Sequence, residues 1–425
     1  MAAFTLTVLP IVLLALGVPI YVALIAAAGA GLLAFGSIPT DAIHIAMFGG
    51  LDNFPLLAIP LFIFAGEIMG RGGLARRLVE WVLSIIGGVR GSLALATIAS
   101  SELFGAMSGS SVGCVAAIGR LMVPALRGRG YNATFAGSLV ASCGSIAVII
   151  PPSIPMIIYG VAAQQSVPKL FLAGIVPGLL IGVLISIYLL IYARINIIPL
   201  TAGLRWKNVW DTTRDAIWSV MAPVVILGGI YGGFFTPTEA AGVACIYAIL
   251  VARYIYRELS WLDIWLTAID SSVLISQILI IVAAAGAYSW LVTTSGFPAK
   301  LVGTIAGLEL QTWLILLCIN VVLLFFGSVL EPPAAILILT PLLVPLTQQA
   351  GVDQIHFGII VTVNLAIGLF TPPFGLNIFA THALFGVPLP QLYRGILPFI
   401  AVYLIALILI TYVPAITLFP LRLLN

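Results

Sequence analysis

Part of this sequence occurs twice, and that constrains the fold more than any other feature. Shifted by 221 positions, Pro124 falls on Pro345, Gly130 on Gly351 and Gly137 on Gly358. Pro151-Pro152 then falls on Pro372-Pro373, Gly174 on Gly395 and Pro177 on Pro398. Residues 124–177 hold twelve glycines and prolines, and seven match in identity without a gap. With 42 glycines and 26 prolines in 425 residues, chance alone gives roughly one such match, so the chain carries an internal repeat. Any fold proposed for it must contain two equivalent halves.

The halves are built for a bilayer. The chain is 62% hydrophobic and 7% charged, against about 45–50% and about 25% in soluble domains. Its 17 basic and 14 acidic residues are too few to solvate a surface of this size. At about 20 residues per span the chain has room for roughly a dozen crossings, less whatever is spent on re-entrant segments. A net charge of +3, with no basic patch, excludes nucleic acid as a partner. Lys169, Lys207 and Lys300 are the only lysines and none follows a glycine, so there is no P-loop. His44, His356 and His382 are scattered, which leaves no zinc or haem ligand set. Cys114, Cys143, Cys245 and Cys318 sit singly in apolar stretches and read as small buried hydrophobes. The N-terminal apolar stretch lacks a basic flank and is too long for a signal core, so it reads as a retained membrane segment.

Apolar spans are expected at about 4–36 (one helix or two, with Pro19 inside), 55–70, 133–165, 171–195, 215–234, 239–256, 272–292, 355–385 and 395–418. Segments 74–88 and 298–309 carry sparse charge at helical spacing and are expected to lie along the interface. Stretches 91–126 and 312–347 are apolar around polar centres, Ser108-Gly109-Ser110-Ser111 in one and Gly327-Ser328 before Glu331 in the other. Their second arms, about 112–126 and 334–347, look short for a crossing, so each stretch is expected to form a re-entrant hairpin. Placing the loops around 71–90, 120–129, 194–214, 253–263 and 394 in the cytoplasm puts fourteen basic residues inside and three outside. Five crossings then separate the equivalent spans 55–70 and 272–292, and an odd number inverts the second repeat. The expected fold class is therefore an all-α polytopic membrane protein with inverted repeats, two opposed hairpins and broken helices, the plan of secondary transporters.

Two constellations carry the candidate chemistry. The first joins Ser108, Gly109, Ser110 and Ser111 to a break at Cys143, Gly144, Ser145, Pro151, Pro152 and Ser153. The second joins Gly327 and Ser328 to Asn364, Gly368, Thr371, Pro372 and Pro373. Proline has no N–H and frees the carbonyl four residues earlier, while glycine lets backbone approach a ligand. Such carbonyls with Ser, Thr and Asn oxygens make a neutral hard-oxygen cage suited to Na⁺; Ca²⁺ would call for carboxylates. The competing reading is that these residues only permit kinks and close helix packing. Ser108, Ser153, Glu331 and Asn364 are the substrate candidates. Glu67, Glu102, Glu239 and Glu331 are intramembrane acids and functional candidates by default. Against that, Glu67 sits one turn before Arg71 and reads as an ion pair, Glu239 reads as a helix cap, and Asp270 reads as wet. Ala106-Met107-Ser108-Gly109 is only faintly like an intramembrane serine protease motif, and no histidine is placed to serve it, so no enzyme is expected.

Phe235-Thr236-Pro237-Thr238-Glu239-Ala240-Ala241, Ile150-Pro151-Pro152-Ser153-Ile154-Pro155-Met156-Ile157-Ile158-Tyr159-Gly160, Gly174-Ile175-Val176-Pro177-Gly178 and Thr371-Pro372-Pro373 complete the reading. Together they resemble the large membrane subunit of TRAP (tripartite ATP-independent periplasmic) transporters over essentially the full chain. The resemblance implies an elevator-type, Na⁺-coupled importer of small organic anions, carboxylates or sulfonates such as sialic acid or C4-dicarboxylates, in the bacterial inner membrane. Na⁺ would be the coupling ion, with no organic cofactor. The implied partners are a soluble periplasmic binding protein and a small four-helix membrane subunit on a separate chain, since no such block precedes Met1. One sodium site would use the first hairpin tip and the break near Gly144–Pro151, the other Gly327 and the Gly368-to-Thr371 break. The domains expected are scaffold helices at 1–50 and 199–262, a first repeat at 51–198 and a second at 263–425. A self-sufficient Na⁺/carboxylate symporter is the rival reading, and a channel a more distant one.

Overall fold

A computed structural model describes residues 2–35, 39, 41–200 and 203–422. The end of the expected span 4–36, the outermost chain ends and part of the boundary near 199–202 lie outside the described residues. In chain order the helices are α1 (Ala2–Ala15), α2 (Ile20–Phe35), α3 (Asp41–Leu51), α4 (Ala58–Arg71), α5 (Leu74–Ile86), α6 (Ser92–Ser108) and α7 (Ser111–Gly128). There follow α8 (Ala133–Ile146), α9 (Ile154–Ala162), α10 (Val167–Ile195), α11 (Trp206–Tyr231), α12 (Pro237–Leu250), α13 (Trp261–Thr294) and α14 (Phe297–Ala306). The last are α15 (Thr312–Val329), α16 (Pro332–Gln349), α17 (Gln354–Gly368), α18 (Leu376–Phe385), α19 (Leu389–Gly395), α20 (Leu397–Tyr412) and α21 (Ala415–Arg422). Among the described residues there is no β-strand, only an isolated bridge between Arg90 and Leu200. Among the described residues seven helices are long and apolar enough to cross a membrane, or eight if the bent α19–α20 pair is one span.

The repeat is written into the helix ends. α7 and α16 begin and end 221 residues apart, α6 and α15 end 221 apart, and α8 and α17 begin 221 apart. The local chemistry repeats as well. After α7, Tyr131 N–H donates to Leu126 O and Gly130 N–H to Arg127 O, with Gly130 at φ +87. After α16, Val352 N–H donates to Thr347 O and Gly351 N–H to Gln348 O, with Gly351 at φ +74. These paired bonds close a helix through a left-handed residue, a conformation glycine adopts without a Cβ clash. The next helices start alike: Asn132 accepts from Thr134 N–H, and Asp353 accepts from Ile355 and His356 N–H.

Several boundaries differ from the sequence reading. The first apolar stretch is two helices, broken at Gly17–Pro19, with α1 folded against α2. α3 was not read as an element of its own. α13 begins eleven residues earlier than the apolar run, because a Ser260–Asp263 capping box starts it in a polar segment. The hairpin arms are longer than expected: α7 and α16 have 18 residues each, and α7 meets the length of a full crossing. At 1.5 Å per residue such an arm reaches about 27 Å, so length alone does not make these hairpins re-entrant. The polar centre read for the second turn lies before the tip. Gly327 and Ser328 belong to the last turn of α15, and the chain reverses at Leu330-Glu331. Cys114, Cys143 and Cys245 are buried, whereas Cys318 is exposed on α15, a correction to its reading as a core residue.

Packing sorts the helices. α4 lies on α12 and α13, α2 and α3 lie on α13, and α5 lies on α11. Gly50 of α3 crosses Gly286 of α13 so closely that a Cβ on Gly50 would stand 3.1 Å from the opposing Cα. The two hairpins pack on the broken helices, α7 on α8 and α18, α15 on α17, and α16 on α9, and also on the first group, α6 on α5 and α16 on α13. Thus each half contributes elements that pack against the other.

Candidate ion and substrate sites

The first hairpin meets the first break through both backbone and hydroxyls. α8 ends at Ile146, the chain turns through Ala147–Ser153, and α9 starts under an N-cap from Ser153. Gly109, at φ +59, turns the hairpin tip, and a Cβ there would stand 2.5 Å from Pro152 O. Ser108 is buried behind it, and its Oγ lies 3.5 Å from Ser110 N. Ser110 Oγ caps α7 by accepting from Gly113 N–H. Ser111 Oγ donates to Asn377 Oδ1 at 2.5 Å. Gly144 faces Ser111 O, which would stand 3.0 Å from an added Cβ. Ser145 Oγ accepts from Asn377 Nδ2 at 3.0 Å. Ser153 Oγ donates to Val148 O, one of the carbonyls that Pro152 releases. The structure therefore brings Ser108–Ser111, Gly144, Ser145, Pro151 and Ser153 into one buried region.

At its tip the second hairpin meets the second break with one backbone laid directly on another. Gly368 packs directly on Gly327, where an added Cβ would overlap the Gly327 carbonyl group. The Gly368 carbonyl is not free as expected, since Thr371 N–H donates to it at 3.1 Å. Leu369 O is likewise taken, by Asn377 N–H at 2.9 Å. Thr371 Oγ1 donates to Ile367 O at 2.7 Å, leaving its lone pairs to accept or coordinate. Ser328 Oγ donates back to Phe325 O. A carbonyl oxygen has two lone pairs, so one turn bond leaves one for a cation. Pro372 and Pro373 bring no N–H donors to compete for those oxygens. The donor set at both breaks is neutral oxygen, which fits a monovalent hard cation. No group of three or more His, Cys, Asp or Glu able to hold a metal occurs among the described residues.

Two further predicted residues lie in different surroundings. Glu331 is exposed and, with Gly327, Gly368, Tyr21 and Gln277, lines a cavity of about 420 Å³ between hairpin two, α2 and α13. Asn364 is fully buried and turned into a polar string: its Nδ2 donates to Asn320 Oδ1 and Ile360 O, both at 2.8 Å. Asn320 in turn donates to Thr411 Oγ1 at 3.1 Å, and His356 lies between Thr417 Oγ1 and Thr411 O. Asn364 Oδ1 has no hydrogen-bond partner among the described residues.

The remaining acids separate by environment. Glu67 pairs with Arg71 at 3.3 Å, as its spacing suggested, and Arg71 also reaches Asp270 at 2.8 Å. Asp270 is thus exposed but not free. Glu239 forms a capping box with Thr236. Glu102 places a carboxyl oxygen that has no partner among the described residues against Gly182 of α10. Glu258, outside the spans, receives Arg76 at 2.6 Å and also Arg77, which stacks over Tyr256. Burial raises the Glu258 pKa, but the two arginine hydrogen bonds outweigh it and hold the carboxyl below its ordinary range.

Sequence reasoning missed Asn377 and Asn320. Each was visible as a lone amide in an apolar helix, a costly placement that marks a bonded group.

Residues 7–416 match the family model described as the tripartite ATP-independent periplasmic transporter, DctM component. The chain is 42% identical, over 96% of its length, to the isethionate TRAP transporter permease protein DctMQ of Oleidesulfovibrio alaskensis, and spans 64% of that protein. It is 39% identical to the C4-dicarboxylate TRAP transporter large permease protein DctM of Pseudomonas aeruginosa, over 91% of both chains. It is also 39% identical to the ectoine/5-hydroxyectoine TRAP transporter large permease protein UehC of Ruegeria pomeroyi, over 98% of both. Among solved structures, the YdaH transporter of Alcanivorax borkumensis shares the fold with a TM-score of 0.64 at 12% identity, over 90% of this chain and 88% of that one.

Proposed function

This chain belongs to the DctM-component family of tripartite ATP-independent periplasmic transporters, and from that premise we propose that it is the Na⁺-coupled translocating subunit of an organic-acid importer. The observation that carries this reading is the docking of two equivalent hairpins onto two proline-broken helices, where neutral oxygens converge. One Na⁺ is held by Ser108–Ser111 with Gly144, Ser145 and the Pro151 break, the other by Gly327 and Ser328 with Gly368, Thr371 and the Pro372 break. Substrate lies between them, near Ser108, Ser153, Glu331 and Asn364, and is a small organic anion of the kind named for the relatives, a carboxylate or a sulfonate. Neutral cages leave each bound Na⁺ with its full charge, which offsets the charge of the anion in a low-dielectric site.

In this reading the hairpins are re-entrant and opposed, the second repeat is inverted, and the inner membrane holds the chain. The regions 1–50 and 199–262, with α4, α5 and α13 packed on them, form a static scaffold, and the hairpins and broken helices move as an elevator. A small membrane subunit widens that scaffold, and a soluble periplasmic protein delivers substrate. The fused relative named DctMQ supports a close association with the small subunit.

The test is uptake into liposomes by the chain co-reconstituted with a small subunit and a binding protein, using labelled isethionate, C4-dicarboxylate and ectoine as probes. Uptake driven by an inward Na⁺ gradient, indifferent to ATP and dependent on the binding protein is expected. Undiminished accumulation with choline in place of Na⁺ sinks the coupling. Uptake without any binding protein supports the self-sufficient symporter instead.

A further inference from the structure

Asn377 is fully buried in α18, in the second half of the chain, yet its side chain serves the first half. Nδ2 donates to Ala141 O at 2.9 Å and to Ser145 Oγ at 3.0 Å, while Oδ1 accepts from Ser111. The amide thereby ties the start of hairpin arm α7 to the last turns of α8, across the first break. Its main chain does something different. Asn377 N–H donates to Leu369 O and so closes the loop that carries Thr371, Pro372 and Pro373, the second break. Within that loop Gly375 N–H donates to Thr371 O at 3.1 Å. A single residue therefore belongs to both breaks, through backbone in one and side chain in the other. The link runs one way: 221 positions earlier the chain has Met156, a fully buried apolar residue that offers no amide to the second break.

We infer that Asn377 is a positioning residue that couples the two candidate cation sites, so that filling one sets the oxygen geometry of the other. This rests on the sodium-coupled reading above. A cation at Thr371 fixes the loop from Leu369 to Asn377, and the fixed loop holds the amide against Ser111 and Ser145. The first cage is then ordered before its own ion arrives, and less ordering remains to oppose binding. Coupling of this kind is reciprocal in binding free energy, so it makes sodium binding cooperative whichever site fills first.

The test is equilibrium binding of radioactive sodium to the purified chain at constant ionic strength, choline making up the difference. It is repeated as the sodium dependence of thermal unfolding. The wild type is expected to bind two ions with a Hill coefficient of about 1.5 or more, and Asn377→Ala to bind two with a coefficient near 1 and a half-saturation raised roughly five-fold or more. Asn377→Ser keeps a hydroxyl in the cavity and is expected to show the same loss of cooperativity. Thr371→Val leaves Asn377 in place and should also flatten the curve, which keeps the test intact where the Asn377 variants fold poorly. A purely structural role for Asn377 scales the plateau without changing the shape of the curve. Cooperativity retained in the folded Asn377 variants, or independent sites in the wild type, overturns the coupling alone. Absence of saturable sodium binding by the wild type overturns the sodium reading and the coupling with it.

Discussion

The two hairpin–break contacts share their helix ends and differ in what fills the space between them. In the first, Gly105 on Ala147 and Gly109 on Pro152 bring backbones close, and serines with an asparagine add hydrogen bonds across the contact. In the second, Gly327 and Gly368 bring two backbones together with no side chain between them. Both contacts thus rest on close glycine approaches, and the first adds side-chain hydrogen bonds to them. A polar cage tolerates small shifts because hydroxyls rotate to suit, whereas a glycine contact tolerates none because backbone cannot give way.

The largest expected effect tests whether the two units are inverted copies at all. Arg127 and Gln349 lie near the ends of α7 and α16, helices that match along their whole length. In a background lacking Cys318, single cysteines at these positions should differ completely toward an impermeant thiol reagent in intact cells. Position 349 labels from outside and position 127 only after lysis; equal labelling at both breaks the inversion. Next in size is Gly368→Ala, which sets a Cβ into the Gly327 backbone. Overpacking of this kind costs about 1–3 kcal/mol, and uptake should fall at least ten-fold with expression matched. Wild-type uptake from this variant would show that the glycine contact is slack.

Thr371→Val comes third, since it retains shape and removes only an oxygen. The half-activating Na⁺ concentration should rise by roughly five- to ten-fold, or about 1 kcal/mol, with maximal uptake retained. No change returns Thr371 to helix packing, through its bond to Ile367 O. The smallest effect lies outside both units. Glu258 holds Arg76 and Arg77 with a lowered pKa, so its contribution is present above the unfolded-state pKa and fades as pH falls through the folded-state value. Glu258→Gln should therefore lower the thermal midpoint slightly at neutral pH, and the gap to wild type should narrow and close as pH falls below the ordinary carboxylate range. A gap that persists in acid assigns the loss to packing rather than to charge.

The repeat, the hairpins and the breaks were legible in the sequence because glycine and proline are local signals, fixed by φ and by a missing N–H. Most of the residues named for the first site do converge. Glu331 was placed at the second tip and the chain does reverse there, whereas Gly327-Ser328, read as the polar centre of the turn, fall within the last turn of α15. The carbonyl of Gly368 was taken as free because Pro372 cannot bond it, but a tighter turn lets Thr371 do so. The partners of Asn377 were beyond reach for another reason. They are more than 230 residues away, and no periodicity records which amide will meet which hydroxyl.

That amide also bears on how the molecule comes to be folded. The first half contains Ser111, Ser145 and the Ala141 carbonyl, all of which hydrogen-bond to a side chain that belongs to the second half. α16 packs on α9 and α18 on α7 and α8, so apolar faces are shared across the same divide. A ribosome that has made residues 1–200 has therefore made a segment whose polar interior is still open. The duplication did not leave two folding units side by side. It left one unit that closes only when the last quarter of the chain has arrived.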